Sequence, residues 1–177
     1  MLKKVKRKIY KICFPLKYAK KVGVNFQNGK LFLYGHIEWG TEPWLITVGD
    51  NVHITDGVRF ETHDGGTLLF RNIIPDLEIT KPITIGNNVY IGNNVIILPG
   101  VNIGNNVIIG AGAVVSKSID DNCVVAGVPA RVIKTTSEYF EKIKKESIHL
   151  GNLSGQEKDK ALMKYYDYKG NSKGIYF

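Results

Sequence analysis

The chain has 177 residues, 44% of them apolar, a size and composition that suit one compact domain with extensions. Its formal net charge of +8 is concentrated in residues 1–21, which hold nine Lys or Arg and no acid, so the rest of the chain carries 15 basic against 16 acidic residues. A nearly neutral body without base-reading motifs argues against a nucleic-acid partner, and no apolar run is long enough to span a bilayer.

Residues 1–22 form a basic segment in which Leu2, Val5, Ile9, Tyr10, Ile12, Phe14 and Leu16 alternate with the lysines. The pattern predicts an amphipathic helix ending at Pro15. Such a helix either caps the open end of the domain that follows or lies on an anionic membrane surface. It lacks the uninterrupted apolar core and small-residue cleavage site of a signal peptide.

Residues 23–135 carry a different period. After an irregular lead-in containing His36, Trp39 and Trp44, the chain falls into six-residue units at 48–53, 54–59 and 60–65. From Ile79 to Val115 every sixth residue is a branched aliphatic, with a second ladder at Val89, Val95, Val101 and Val107, extended by Ala113. A period of six belongs neither to an α-helix nor to a flat strand and predicts an all-β solenoid of short segments joined by tight turns. Gly-Asn-Asn at 86–88, 92–94 and 104–106 would occupy the corners, where both residue types tolerate the left-handed backbone conformation. Phe60 and Ile85 are 25 residues apart, not a multiple of six, so an insertion interrupts the coil. It is assigned to residues 64–82, with His63 at its root.

The hexads fade after Val115, and Gly127 with Pro129 marks a turn after a short strand. Residues 136–177 are read as a helical extension. One helix spans 138–149 with Tyr139, Phe140 and Ile143 on a stripe suited to covering the last coil. A second starts at the Ser154-Gly155-Gln156-Glu157 capping box. Two cysteines, Cys13 and Cys123, are neither spaced for zinc nor numerous enough for a disulfide framework, which suits a reduced, cytoplasmic setting. No His or carboxylate cluster has metal-ligand spacing, so no metal is expected.

The stretch from Ile85 to Lys134, with Ile109-Gly110-Ala111-Gly112-Ala113-Val114-Val115 and the ending Gly127-Val128-Pro129-Ala130-Arg131-Val132-Ile133, resembles the hexapeptide-repeat acyltransferases. Within them it resembles the sugar O-acetyltransferases, both the galactoside and maltose enzymes and those that decorate capsule or O-antigen polysaccharides. The resemblance implies a left-handed parallel β-helix with three hexapeptides per coil, a homotrimer with active sites between subunits, and acetyl-CoA as co-substrate. Residues 18 apart would then stack. Asn93 and Ala111, which match two positions lining the pantetheine arm, are so spaced. The resemblance also assigns the thioester-side backbone N–H to Ala111, a hydroxyl to Ser116, an aromatic groove wall to Tyr90, and contacts with the coenzyme's 3′-phosphate region to Arg131 and Lys134.

Acetyl transfer to an alcohol needs a base to take the hydroxyl proton, and histidine suits that work near neutral pH. Of His36, His53, His63 and His149, His63 at the lip of the insertion is the expected general base. Glu61, two residues away on an extended segment, projects to the same side and is preferred over Asp64 to orient the imidazole. His36, Trp39 and Asp64 are the candidate substrate contacts, and His53, in the register slot of Arg59 and Tyr90, is a surface position. The expected function is acetyl-CoA-dependent O-acetylation of a sugar in cell-surface polysaccharide synthesis. Acetylation of an amine on a nucleotide sugar or of a xenobiotic, and an inert scaffold, are the alternatives.

Overall fold

The computed structural model describes residues 10–26 and 29–168. Residues 10–13 are helical, and after Phe14 a second helix, α1 (Pro15–Val22), begins at the proline expected to end one. Proline is at home there, because the first turn of a helix leaves its N–H groups unpaired in any case. Gly23 closes α1 at φ 102°, with its N–H bonded to Lys20 O. Tyr18 and Ala19 are buried in the core beside Leu31 and Ile37. The described part of the basic segment thus covers the first coil, as the capping alternative requires; residues 1–9 lie outside the described residues.

The chain then circulates among three parallel sheets in a fixed order. The first sheet holds β1 (Asn25–Phe26), β3 (Ile46–Val48), β6 (Ile83–Ile85) and β9 (Asn102–Ile103). The second holds β2 (Leu31–Leu33), β4 (Val52–Ile54), β7 (Val89–Ile91), β10 (Val107–Ile109), β12 (Cys123–Ala126) and the antiparallel β13 (Arg131–Thr135). The third holds β5 (Arg59–Phe60), β8 (Ile96–Ile97) and β11 (Val114–Val115), with Glu38 bridged to Arg59 below them. One strand per sheet per turn makes a three-sided coil. Its first turn, 25–38, is built from the lead-in that sequence reads as irregular.

Both aliphatic ladders point inward. Ile85, Ile91, Ile97, Ile103, Ile109 and Val115 are buried together with Val89, Val95, Val101, Val107 and Ala113. Each such Val or Ile contributes about 1.5–3 kcal/mol on leaving water. Ile79 is an exception to the expected ladder: it is exposed and belongs to the inserted loop. Register measures that loop. Val89 pairs with Val107, 18 residues on, whereas Val52 pairs with Val89, 37 residues on, and the surplus of 19 residues is the segment 64–82.

The corner between the first and second sheets shows why Gly-Asn-Asn recurs. Asn51, Asn88, Asn106 and Asn122 all have φ between 53° and 61°. Their side-chain amides form a continuous ladder, Asn51 donating to Asn88 at 3.0 Å, Asn88 to Asn106 at 3.1 Å and Asn106 to Asn122 at 3.0 Å. The middle residue at this corner serves the neighbouring coil: Asn87 Oδ1 accepts the Asp50 N–H at 2.7 Å and Asn105 Oδ1 the Asn87 N–H at 2.9 Å. The glycine is required for a reason other than the expected left-handed backbone. A Cβ on Gly86 would lie 2.7 Å from Gly104 O, so glycine is what lets successive coils approach.

The coil and α1 belong to one compact unit, Met1–Tyr139, and Phe140–Phe177 to another. Helix α2 (Thr136–Glu146) has no buried residue, and Phe140 and Ile143 of its expected stripe are exposed. Helix α3 (Gly155–Tyr165) begins after Ser154, whose side chain makes no capping bond, so the predicted capping box is not formed.

Substitution of Gly86 by Ala should lower the unfolding free energy by about 1–3 kcal/mol through overpacking. Gly65→Ala, where an added Cβ meets nothing within 4 Å, should leave it unchanged. Urea unfolding of both variants checks this.

Candidate functional site

His63 is held by the way the insertion closes. It pairs with Thr80 in an antiparallel bridge, the Asp64 N–H bonds to Ile79 O at 2.9 Å and the Lys81 N–H to Thr62 O at 2.8 Å. These bonds pin the loop at its base, at the corner between the third and first sheets. Asp64 is spent on the loop itself: its Oδ1 accepts the Gly66 N–H at 2.9 Å and caps the 3-10 turn Gly65–Phe70.

The carboxylate beside His63 is Glu42. Its Oε2 lies 3.1 Å from His63 Nδ1. Glu61, expected in this role, turns instead to Arg59 at 3.1 Å, on the outer side of the third sheet. Glu42 comes from the coil below: it is 21 residues before His63, the same spacing at which Leu31 pairs with Val52 and Glu38 with Arg59. Thr62 Oγ1, fully buried, donates to Glu42 Oε2 at 2.5 Å, and Thr41 Oγ1 donates to Oε1 at 2.7 Å while lying 3.1 Å from His63 Nδ1. The bond from Thr62, aided by those from Thr41 and His63 and opposed by burial, holds the Glu42 carboxyl below the usual carboxylate range. An ionised carboxylate at Nδ1 favours the tautomer with its proton on Nδ1, which leaves the Nε2 lone pair available as a base. This Thr-Glu-His cluster escaped the sequence because the first coil lacks the hexad pattern that would have given its register.

The other candidate residues fall on two edges. Ile91 pairs with Ile109 and Ile96 with Val114, so Asn93 and Ala111 share the corner between the second and third sheets, and the Gly112 N–H bonds to Asn93 O at 2.7 Å. The N–H groups of Gly110 and Gly112 are both taken up, by Val125 O and Asn93 O, whereas that of exposed Ala111 has no acceptor among the described residues. An added Cβ at Gly112 meets nothing within 4 Å, so the main chain is open there. Arg131 lies one coil further along that corner, since it pairs with Ala126 at the end of β12. Tyr90 and Lys134 stand on the outer side of the second sheet, Lys134 opposite Val124. Ser116 is not with them: it follows β11 at the His63 corner.

Trp39 is not available to a substrate in the expected way. It is 4% exposed and stacks on Phe60 with centroids 5.0 Å apart, a core contact. His36 is engaged by Glu38 and by Lys11 Nζ at 3.2 Å. His53 keeps its expected register opposite Tyr90 but stacks on Phe32 at 4.4 Å and meets Tyr34 Oη at 3.0 Å.

The profile of the bacterial transferase hexapeptide (six repeats) matches residues 82–117. Protein CapG of Staphylococcus aureus is 43% identical over 158 residues, covering 89% of this chain and 92% of that protein. The chain belongs to the hexapeptide-repeat acetyltransferases. Solved structures agree. A maltose O-acetyltransferase from Clostridium difficile 630 matches with TM-score 0.53 and 32% identity over 67% of this chain and 73% of its own. A galactoside acetyltransferase in complex with coenzyme A matches with TM-score 0.51 and 29% identity over 79% of this chain and 76% of its own.

The acetyltransferase should lose the contribution of Glu42 in acid. Because its folded pKa is depressed, the stabilisation is fully present above the ordinary value of 4.5 and disappears as the pH falls through the lower folded value. The stability difference between wild type and Glu42→Gln should therefore hold above pH 4.5 and shrink as the pH falls below it through the lower folded value. A difference that stays constant in chemical unfolding from neutral pH down to the onset of acid unfolding would contradict this assignment.

Proposed function

We propose that the enzyme transfers an acetyl group from acetyl-CoA to a hydroxyl of a sugar in cell-surface polysaccharide synthesis, with His63 as general base. The observation that carries this reading is the Glu42–His63 pair, 3.1 Å apart at the root of the inserted loop. The sugar enzymes among its structural neighbours support the acceptor class. His63 Nε2 takes the proton of the acceptor hydroxyl as its oxygen attacks the thioester carbonyl, and Glu42 stabilises the imidazolium that forms. A backbone N–H receives the developing oxyanion; when it collapses, the C–S bond breaks and the proton passes from His63 to the leaving thiolate.

The coenzyme strip would be Tyr90, Asn93, Ala111, Arg131 and Lys134, with the free N–H of Ala111 on the thioester side and the two cations toward the 3′-phosphate. The open main chain at Gly112 fits a ligand drawn along that corner. Ser116, on the His63 edge, would offer its hydroxyl from there.

The same geometry supports a homotrimer of left-handed β-helices with sites between subunits. His63 sits at one edge of the third sheet and Ala111 at the other, two coils apart. Three to five residues of strand put about 10–16 Å between those edges, and reacting atoms must come within about 3–3.5 Å. One chain therefore holds the two apart by the width of the sheet; the His63 edge of one copy packed against the Ala111 edge of the next would remove that width, and threefold rotation closes the ring. In this reading the enzyme works in the cytoplasm at the inner face of the membrane. Exposed Ile12, Phe14 and Leu16 beside Lys17 and Lys20 suit peripheral contact with anionic lipid.

Acetyl-CoA-dependent release of CoA with a saccharide acceptor tests the activity, and His63→Ala should lower kcat by about 10²–10⁴-fold. Undiminished turnover would remove His63 from the mechanism. Co-expression of His63→Ala with Ala111→Pro, which removes the N–H, should restore activity at about one site in four if each site draws on two copies. No recovery would place both groups in one chain.

A further inference from the structure

Beside the Glu42–His63 pair a cleft of about 410 Å³ opens between α1 and the first coil, lined by Lys11, Tyr18, Glu38, Gly40, Thr41 and Trp44, among others. That volume lies within the range of small-molecule sites, about 300–1,000 Å³. Thr41 joins it to the chemistry, since its hydroxyl lines the cleft and lies 3.1 Å from His63 Nδ1. Trp44 stands two residues beyond Glu42 and is 57% exposed, in contrast to the buried Trp39. Its position is set by the 3-10 turn Pro43–Leu45, by the Trp44 carbonyl accepting Asn25 Nδ2 at 2.9 Å, and by the glycine at position 23, where a Cβ would lie 3.2 Å from Trp44 Cβ.

The charges in the cleft are already committed. Lys11 Nζ lies 3.0 Å from Glu38 Oε1 and 3.2 Å from His36 Nε2, and sits 5.7 Å from the centre of the Tyr18 ring. Its ammonium is engaged by the protein, and among the described residues it is the cation that lines the cleft. Glu38 keeps its second carboxylate oxygen for a ligand donor. Burial works against its charge, but the bonds from Lys11 and His36 outweigh burial and hold its carboxyl below the usual range. Glu42 lies outside the lining, behind Thr41, whose hydroxyl donates to it, so Glu38 is the carboxylate of the cleft wall.

We infer that this cleft is the acceptor site, that Trp44 is its stacking wall and Glu38 its hydroxyl acceptor, and that it selects neutral saccharides over anionic ones. The inference rests on the acetyl-transfer reading above. The C–H face of a pyranose packs on an indole, while its hydroxyls meet Glu38 and Thr41. A negative group in the same place meets the Glu38 carboxylate, while the Lys11 ammonium beside it is already engaged by Glu38 and His36.

Steady-state kinetics with methyl glycosides of neutral hexoses and of a hexuronate test it, read alongside binding of acetyl-CoA by calorimetry. Trp44→Ala should raise the acceptor KM by about 10-fold or more with little change in kcat or coenzyme affinity, and Trp44→Phe should recover most of the loss. Glu38→Gln should narrow the preference for the neutral glycoside. An acceptor KM unchanged in Trp44→Ala, or a change confined to acetyl-CoA, would overturn the assignment of the cleft. Acrylamide quenching supplies a readout without turnover: a neutral glycoside should shield Trp44 in the wild-type protein with CoA present, and unaltered quenching at saturating glycoside would count against it. If no saccharide supports CoA release, it is the acetyl-transfer reading that fails, which a Trp44-specific KM change in an active enzyme cannot be mistaken for.

Discussion

The structure depends on how closely one coil can lie on the next. Parallel strands exchange backbone hydrogen bonds only at about 4.8 Å, and at the corners a side chain on Gly86 or Gly92 would collide with the main chain of the coil above. Where glycine permits the approach, the second asparagine of each triplet takes the left-handed turn, and Asn88 and Asn106 tie it to its neighbours through the amide ladder. The interior aliphatics are buried because the corners let the coils stack. The corners in turn become fixed positions along three edges of a prism.

That rigidity is what makes chemistry possible at an edge. Glu42 and His63 are 21 residues apart in sequence but occupy the same corner on successive coils, so stacking alone aligns carboxylate and imidazole. The loop closed by Thr62, Asp64, Ile79 and Lys81 removes the freedom a histidine would have on an open turn. Thr62 is buried beneath the pair, and its hydroxyl holds the acid in one orientation. The corner at Ala111 uses the same logic differently. There Gly110 and Gly112 take the inter-coil bonds, and the N–H of Ala111 between them has no acceptor among the described residues.

The insertion and the first coil carry what is particular to this chain. Both break the six-residue rhythm, one by adding residues and the other by spacing its strands 22 and 21 residues from the next coil where the regular coils use 18. The dyad, the exposed Trp44 and the cleft beneath α1 all arise from these departures. Helix α1 shields the open end of the core with Tyr18 and Ala19. The helical stretch before it, residues 10–13, supplies Lys11, which neutralises Glu38 at the mouth of the cleft.

Sequence alone determined the period, the inward ladders, the place and length of the insertion, and the position of His63 at its root. These are local or periodic properties, written into which residues recur every six. The partner of that histidine was decided by tertiary structure. Glu61 is near in sequence but belongs to the outer side of its strand, where Arg59 takes it. Glu42 is distant in sequence and adjacent in space. The same holds for the tryptophans, since only packing tells that Trp39 stacks on Phe60 while Trp44 faces solvent. A repeat pattern predicts where the coil runs; which side chains meet across coils depends on a register that the irregular first turn does not spell out.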